Sequence, residues 1–157
     1  MKEILKSQYQ ASTKMLRAAI EACPDSLWND TTYRNPFWHI AFHTIFYTHF
    51  YLHATEDDFV AWEKHRDEWV SLGDDPGDDH YTKQEILEYL GYFKRRINKF
   101  VDDLDLDAES GFHWLRFDKL QLQFYNIRHI QHHTGELCER LGGTGEIEVA
   151  WVGMMKS

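Results

Sequence analysis

Two histidines near the end of the chain have the spacing of a metal-binding pair. His129 and His133 lie four residues apart within residues 126–137, a segment whose pattern is typical of a helix. At about 3.6 residues per turn, positions i and i+4 project from one face of a helix, one turn apart. Two neutral imidazoles held in this way can bind one divalent cation, because each presents a ring nitrogen to a borderline-soft metal. Two ligands do not make a tight site, so we expect a third from elsewhere in the chain.

The best source of a third ligand is a second histidine-bearing helix at residues 35–47. On its helical wheel His43 shares a stripe with Phe46 and Phe50, as expected for a side chain that points inward. His39 lies one turn earlier on nearly the same face. A site made of three histidines leaves an open position on the metal, which suits catalysis or ligand binding better than a purely structural role.

The same histidines also allow a simpler interpretation. The chain has ten histidines, and most of them must do something other than bind a metal. Taken alone, His129, His132 and His133 are equally well explained as hydrogen-bonded or exposed side chains that happen to cluster. The histidines of the second helix favour the metal site over this alternative.

The composition indicates a single globular domain that binds neither nucleic acid nor membrane. A chain of 157 residues is long enough to bury a core, and we expect residues 1–157 to form one domain. Its net charge of −9 argues against a surface that neutralises phosphates. Its two cysteines form no disulfide framework, which fits a reducing cytosol. No apolar run approaches membrane-spanning length, so we expect a cytoplasmic protein.

Four long helical patterns position the histidines. They cover residues 2–21, 35–53, 82–100 and 118–141. The connection between the second and third patterns is long, at residues 54–81, and its first half at 57–69 could form a short helix. Residues 73–79 have the composition of a solvated turn, and the tail at 146–152 alternates polar and apolar residues like a short strand or an extended arm.

The ends of three of these patterns carry capping signals. The second pattern opens with Asn35 as a predicted N-cap and Pro36 at the first helical position. In the third, Thr82 and Glu85 have the spacing of a capping box. A Gly-Gly pair at residues 142–143 predicts the end of the fourth helix.

Four long helices with one long crossover predict an all-α protein with a four-helix bundle, in which metal sites are commonly built from facing helices. The chain has no Glu-x-x-His pair, which disfavours a ferritin-like di-iron centre. It has no His-Glu-x-x-His segment either, which removes the commonest zinc-protease motif.

The fourth helix raises a conflict between its histidines and its apolar stripe. His129 and His133 lie near one side of the wheel, beside Leu122 and Asn126. The widest apolar stripe lies on the other side and consists of Leu120, Phe124, Ile127, Ile130, Cys138 and Leu141. A helix that is apolar nearly all round is buried in two directions. We therefore expect a homodimer, in which a second copy of the chain covers part of this stripe.

Residues 128–137 (RHIQHHTGEL) resemble the last-helix motif of the DinB-like superfamily, and residues 38–43 (WHIAFH) resemble its second-helix histidine segment. The order of elements is similar over essentially the whole chain. The resemblance implies an up-down-down-up four-helix bundle with a long crossover between helices 2 and 3, and often a dimer. It also implies a divalent metal, commonly zinc or nickel, held by three histidines, which carry over to His43, His129 and His133.

Two positions depart from this pattern or have no role in it. His39 has no assigned role in the motif and could compete with His43 as the ligand. Glu136 stands where many members of the family have glutamine, which alters the local charge but not the ligands.

Some members of the family are thiol transferases that use low-molecular-weight thiols such as bacillithiol, mycothiol or glutathione. The resemblance thus implies a metal-dependent thiol transferase with a small-molecule substrate. A divalent cation would lower the pKa of an incoming thiol. We expect a water-poor pocket walled by residues such as Phe46 and Phe50. His132 or His39 could serve as a proton carrier, or could simply pack in the fold.

Three alternatives stay open. A metal-bound water could instead hydrolyse a small substrate. The chain could be a non-catalytic dimeric bundle that binds a metal or ligand, in which the cation mainly stabilises the fold. It could also be a plain bundle without a metal.

Overall fold

The described part of the chain is all-helical, as the sequence predicts. The computed structural model describes residues 1–73, 77, 79–145 and 147–155. Over these residues there are six α-helices, one 3-10 helix and no strand. The helices are α1 (Lys2–Ala22), α2 (Asp25–Trp28), α3 (Phe37–Phe50), α4 (Lys83–Lys94), α5 (Ile97–Asp103) and α6 (Lys119–Gly145).

The longer helices pack around one core rich in aromatic residues. Helix α6 packs against α1 and α3, while α4 packs against α1 and α3 from the other side, and α5 continues the contact of α4 with α1. The largest fully buried side chains include Trp38, Tyr9, Tyr89, Phe37 and Phe42. Burial of side chains of this size supplies most of the hydrophobic stabilisation.

Contacts made by side chains of α3, α4 and α6 give the relative directions of these helices. The Asn126 amide donates to the Thr48 carbonyl at 3.1 Å and the Gln123 amide donates to the Tyr51 carbonyl at 3.3 Å, so α6 runs antiparallel to α3. On the other side His49 contacts the ring of Tyr89, and the later His53 contacts Phe100 beyond the end of α4. Helix α4 and its continuation therefore run parallel to α3.

The start of α3 differs by one residue from the prediction. Pro36 is the N-cap, and no side chain caps the helix. The Asn35 side chain, predicted to be the cap, instead accepts a hydrogen bond from the Gly73 N–H at 2.8 Å. The Asn35 carbonyl accepts another from Arg140 at 2.7 Å. Because its two oxygens accept these hydrogen bonds, Asn35 connects the start of α3 to the crossover and to the C-terminal part of α6.

The third and fourth predicted helices each contain one correction. The capping box of Thr82 and Glu85 is confirmed. The helix that follows is interrupted at Arg95 and Arg96, where α5 takes over. Helix α6 does not end at residues 142–143 but continues to Gly145. Neither glycine of the pair has the positive φ that makes glycine a helix terminator, so both extend the helix instead.

The crossover between α3 and α4 is held by aromatic packing more than by helix. Of the short helix that residues 57–69 could form, only the 3-10 turn Asp67–Trp69 is present. Trp62 instead stacks on Tyr89, with ring centroids 4.7 Å apart and planes 2° apart. Trp69 packs edge-on against Tyr81 at 4.7 Å. Of the predicted turn at 73–79, residues 74–76 and 78 lie outside the described residues.

The C-terminal tail is an extended arm. Residues 147–155 contain no helix or strand. Met155 and the Ser7 hydroxyl exchange two hydrogen bonds, which fix the tail beside α1. None of the helices in the described ranges is both long enough and apolar enough to cross a membrane.

Candidate metal centre

Helices α3 and α6 bring the three predicted ligands together. The Nε2 atoms of His43 and His129 are 3.2 Å apart. The ring centroid of His133 lies 4.9 Å from that of His43 and 4.6 Å from that of His129. One nitrogen from each of the three lies within 4.8 Å of the others, so they could hold one metal ion. Because α3 and α6 are antiparallel neighbours, a residue near the middle of one meets an i, i+4 pair on the other.

Hydrogen bonds orient two of the three rings. The Nδ1–H of His43 donates to the Val70 carbonyl at 2.8 Å, which leaves Nε2 as the free nitrogen. Nδ1 of His133 lies 2.5 Å from Oε2 of Glu136. Nδ1 of His129 is buried and has no hydrogen-bond partner among the described residues. A second, mostly exposed group that could hold an ion consists of His132, His133 and Glu136.

The site favours neutral imidazoles. Burial lowers the pKa of His43 to about 4 and that of His129 to about 3, and neighbouring imidazoles add to both effects. Burial also lowers the pKa of His133, although Glu136 acts in the opposite direction. All three rings are therefore neutral near pH 7. The neutral imidazole is the form that binds a metal, so no proton has to be displaced.

The donor set fits a tetrahedral divalent ion such as zinc. With Zn–N distances of about 2.0–2.1 Å, two tetrahedral ligands place their nitrogens about 3.3 Å apart. The observed 3.2 Å between the Nε2 atoms of His43 and His129 is close to that value. The same distance also suits one N–H···N hydrogen bond between the two rings. Imidazole nitrogen is a ligand that suits zinc, nickel and copper.

A cleft of about 360 Å³ opens over the three histidines. Its walls are aromatic and consist of Tyr47, Tyr51, Trp114 and Tyr125. The predicted walls, Phe46 and Phe50, lie elsewhere: they pack against Phe59 at 5.5 and 4.9 Å. Tyr47 and Tyr51 lie about 40° and 80° round α3 from His43 in one direction, and Phe46 and Phe50 lie about 60° and 20° from it in the other. The cleft is on the tyrosine side, and Phe59 covers the phenylalanine side.

The residues that line the cleft but were not predicted differ in whether the sequence carries a signal for them. Tyr47 and Tyr51 follow His43 at i+4 and i+8, and Tyr125 precedes His129 by four, so the ligands' own faces point to all three. Trp114 comes from the loop between α5 and α6 and is 43% exposed. Its position depends on contact with Phe112, at 5.7 Å between centroids, and no periodic signal predicts it.

Neither of the two histidines without an assigned role, His39 and His132, belongs to the group of three converging nitrogens. His39 is buried, donates from Nε2 to the Trp69 carbonyl at 3.0 Å and stacks on Trp38. It is therefore not a competitor of His43 for the same ion. The side chain of His132 is 69% exposed, and its Nε2 lies 3.8 Å from Glu136.

Comparison with known families places the chain. The sequence model of the DinB superfamily matches residues 8–137, which is more than half of the chain and includes all three histidines. The chain belongs to the DinB superfamily. No curated protein and no solved structure gives a match. The DinB match begins within α1 and ends within α6, four residues after His133, so it covers all of α3 and the part of α6 that carries His129 and His133.

Proposed function

We propose that this DinB-family protein binds one divalent metal ion, zinc or nickel, through His43, His129 and His133. The observation that supports the proposal best is the 3.2 Å separation of two Nε2 atoms from two different helices. The third imidazole stands at nearly a right angle to both others, with interplanar angles of 82° and 80°. Three neutral, desolvated nitrogens converge there and leave an open side toward the cleft.

The site is best placed in an up-down-down-up four-helix bundle with residues 54–81 as the long crossover. Support comes from the contacts of α3, which are antiparallel with α6 and parallel with α4. In such a bundle the ligands come from facing helices, which hold them more rigidly than loops do.

The reaction we propose is attack of the sulfur of a low-molecular-weight thiol on an electrophilic carbon. The new carbon–sulfur bond forms as the bond from that carbon to its leaving group breaks, the leaving group departs with the bonding electron pair, and the thiol proton passes to solvent. The bound cation would supply a lowered pKa for the thiol. The protein's own residues orient the ligands and exclude water. Burial raises the pKa of Tyr47, and it raises that of Tyr51 to about 12, so both phenols stay protonated and act as hydrogen-bond donors rather than bases.

The lining of the cleft favours an aromatic or apolar electrophile. Among the residues that line it there is no lysine, arginine, aspartate or glutamate. The rings of Tyr47, Tyr51 and Trp114 offer stacking surfaces, and their polar tips offer hydrogen bonds. A charged substrate group would have to lie at the mouth of the cleft, where water can solvate it.

A second candidate function is a non-catalytic homodimer whose ion stabilises the fold. The homodimer is favoured by the outer face of α6, where Phe124 is 49% exposed and Leu120 and Ile127 are only partly buried. The inner face instead buries Gln123 and Asn126 beside the histidines. A two-fold interface would cover the outer apolar stripe from both subunits. Light scattering at micromolar concentration should give a dimer, and Phe124→Glu should give a monomer that still binds metal.

Elemental analysis of gently purified protein, followed by titration of the metal-loaded form with thiols, tests the proposal. We expect one divalent ion per chain and a thiol that changes the spectrum of the cobalt-loaded protein. Metal binding without any response to thiols would favour the non-catalytic function. Failure to bind added zinc, nickel or cobalt would rule out both.

A further inference from the structure

The carboxylate of Glu136 is the most unusual neighbour of the candidate ligands. It lies one turn after His133 on α6, and its Oε2 is 2.5 Å from Nδ1 of that ring. The side chain of His133 is only 10% exposed, whereas that of Glu136 is 42% exposed, so the carboxylate stays solvated while it contacts a buried ring. Within the described ranges, no other carboxylate forms a hydrogen bond or ion pair with any of the three rings.

A carboxylate at this position decides which nitrogen carries the proton. A neutral imidazole has one N–H donor and one lone pair, and an ionised carboxylate only accepts. Nδ1 of His133 must therefore be the N–H, which leaves the lone pair on Nε2. The Val70 carbonyl does the same for His43, but as a neutral acceptor. The two ring orientations thus have the same origin and differ in charge.

We infer that Glu136 is a positioning residue that fixes the tautomer and ring angle of His133 for the ion and, through its negative charge, tightens metal binding. This inference rests on the proposed metal-binding function. A hydrogen-bonded carboxylate makes the imidazole a stronger electron donor, and partners of this kind typically change metal affinity about 10–100-fold. A divalent ion held by three neutral rings keeps both positive charges, and Glu136 offsets one of them nearby.

The geometry separates positioning from direct ligation. Glu136 contacts Nδ1, and Nε2 is on the opposite side of the same ring, so the carboxylate cannot reach an ion on Nε2 unless His133 rotates. His132 is the other group near this carboxylate, at 3.8 Å, and its side chain is mostly exposed. A contact of that length and exposure contributes little.

The test compares Glu136→Gln, Glu136→Ala and the matched control Glu139→Gln in the full-length chain. Glu139 is exposed on the same helix, so its change removes the same charge away from the histidines. Zinc affinity is measured by competition with a chromophoric chelator, and the ligand field by the absorption spectrum of the cobalt-loaded protein. We expect Glu136→Ala to weaken zinc binding about 10–100-fold and to shift the cobalt bands.

Glutamine keeps an acceptor for Nδ1 but loses the charge. We therefore expect Glu136→Gln to restore the cobalt bands toward those of the unmodified protein, with zinc affinity between that of the alanine variant and that of the control. Circular dichroism checks that each variant folds. Glu136 variants that match Glu139→Gln in affinity and spectrum would overturn the inference while the metal site itself stands. A protein that binds no zinc or cobalt at all would overturn both, and an oxygen ligand from Glu136 in X-ray absorption would overturn the positioning role alone.

Discussion

Two of the histidines on helix α3, His43 and His49, face different neighbouring helices, and the contrast between them distinguishes a candidate site from a packed core. His43 points toward α6 and His49 points toward α4. Burial lowers the pKa of His43 to about 4 and that of His49 to about 3. Both rings are therefore neutral near pH 7, and the pKa of His49 is the more strongly lowered of the two.

Their surroundings differ completely. His49 bonds through Nδ1 to the Tyr89 hydroxyl at 3.1 Å and is enclosed by the rings of Phe59, Phe93 and Phe100. His43 instead meets two other imidazoles and borders an open cleft. A perturbed pKa is therefore weak evidence for a site when burial is its main cause. Converging lone pairs beside an opening are stronger evidence, because only these give a ligand somewhere to bind.

The largest expected effect comes from removing one histidine of the group that contains His43. His129→Ala should weaken zinc binding by more than about 100-fold, since even changes in residues behind the ligands cost about 10–100-fold. His65→Ala and His80→Ala should change little, because neither residue belongs to the converging group. Chelator competition measures all three. Equal losses would show that the ion is held non-specifically by a histidine-rich, acidic chain.

The converse substitution should damage stability and leave the metal site alone. His49→Ala removes a ring that is 1% exposed and leaves the Tyr89 hydroxyl without its partner. We expect a loss of about 2–4 kcal/mol in the free energy of unfolding, from the cavity and the lost hydrogen bond together. Urea denaturation of the metal-free protein measures it. A variant that stays folded but loses zinc affinity would erase the distinction between the two regions.

The pH dependence of stability should carry the signature of His49. Its pKa is about 3 in the folded protein and about 6.5 when unfolded, so below pH 6.5 the unfolded state binds a proton that the folded state refuses. Stability is then full above that value and falls as the pH drops toward 3. His49→Phe should reduce the slope of unfolding free energy against pH between 4 and 6 by up to about 1.4 kcal/mol per pH unit. An unchanged slope would mean that the ring is protonated inside the fold.

The sequence predicts the parts of the fold that depend on local signals. The capping box at Thr82 and the helix that contains His129 and His133 are both present, because each needs only neighbours along the chain. The predicted end of α6 is wrong, and most of residues 57–69 do not form the short helix that the sequence allows. Glycine permits a helix end without requiring one, and Trp62 takes its position from a distant partner, Tyr89.

The candidate site divides in the same way. The three histidines come together as the motif and the helix faces predict. The walls on α3 and α6 could have been found from the same faces, because Tyr47 and Tyr125 are one turn from a ligand. Trp114 could not, since a loop residue is placed by tertiary packing alone.

The smallest expected effect comes from a substitution of Trp114. It tests whether the cleft beside His43 binds a ligand, which the closed packing around His49 leaves no room for. Its indole lies 6.3 Å from Phe50, nearly parallel at 13°, and is 43% exposed at the cleft. Trp114→Ala should leave zinc affinity unchanged, because no metal-binding nitrogen belongs to it. It should weaken binding of an aromatic thiol to the cobalt-loaded protein by about 2–10-fold, the equivalent of one aromatic contact worth about 0.5–1.5 kcal/mol.

Trp151→Ala is the matched control, since that indole is 75% exposed on the tail and does not line the cleft. Titration of each cobalt-loaded variant with thiophenol and with an alkyl thiol separates stacking from metal ligation. Both thiols would bind the metal through the same sulfur–metal bond, and only the aromatic thiol can stack. If Trp114 contributes stacking, its loss should therefore weaken the binding of the aromatic thiol alone. Equal weakening of the binding of both thiols would mean that Trp114 acts on the geometry of the metal site. The aromatic walls of the cleft would then be structural packing, like the rings around His49, and not a surface that binds a ligand.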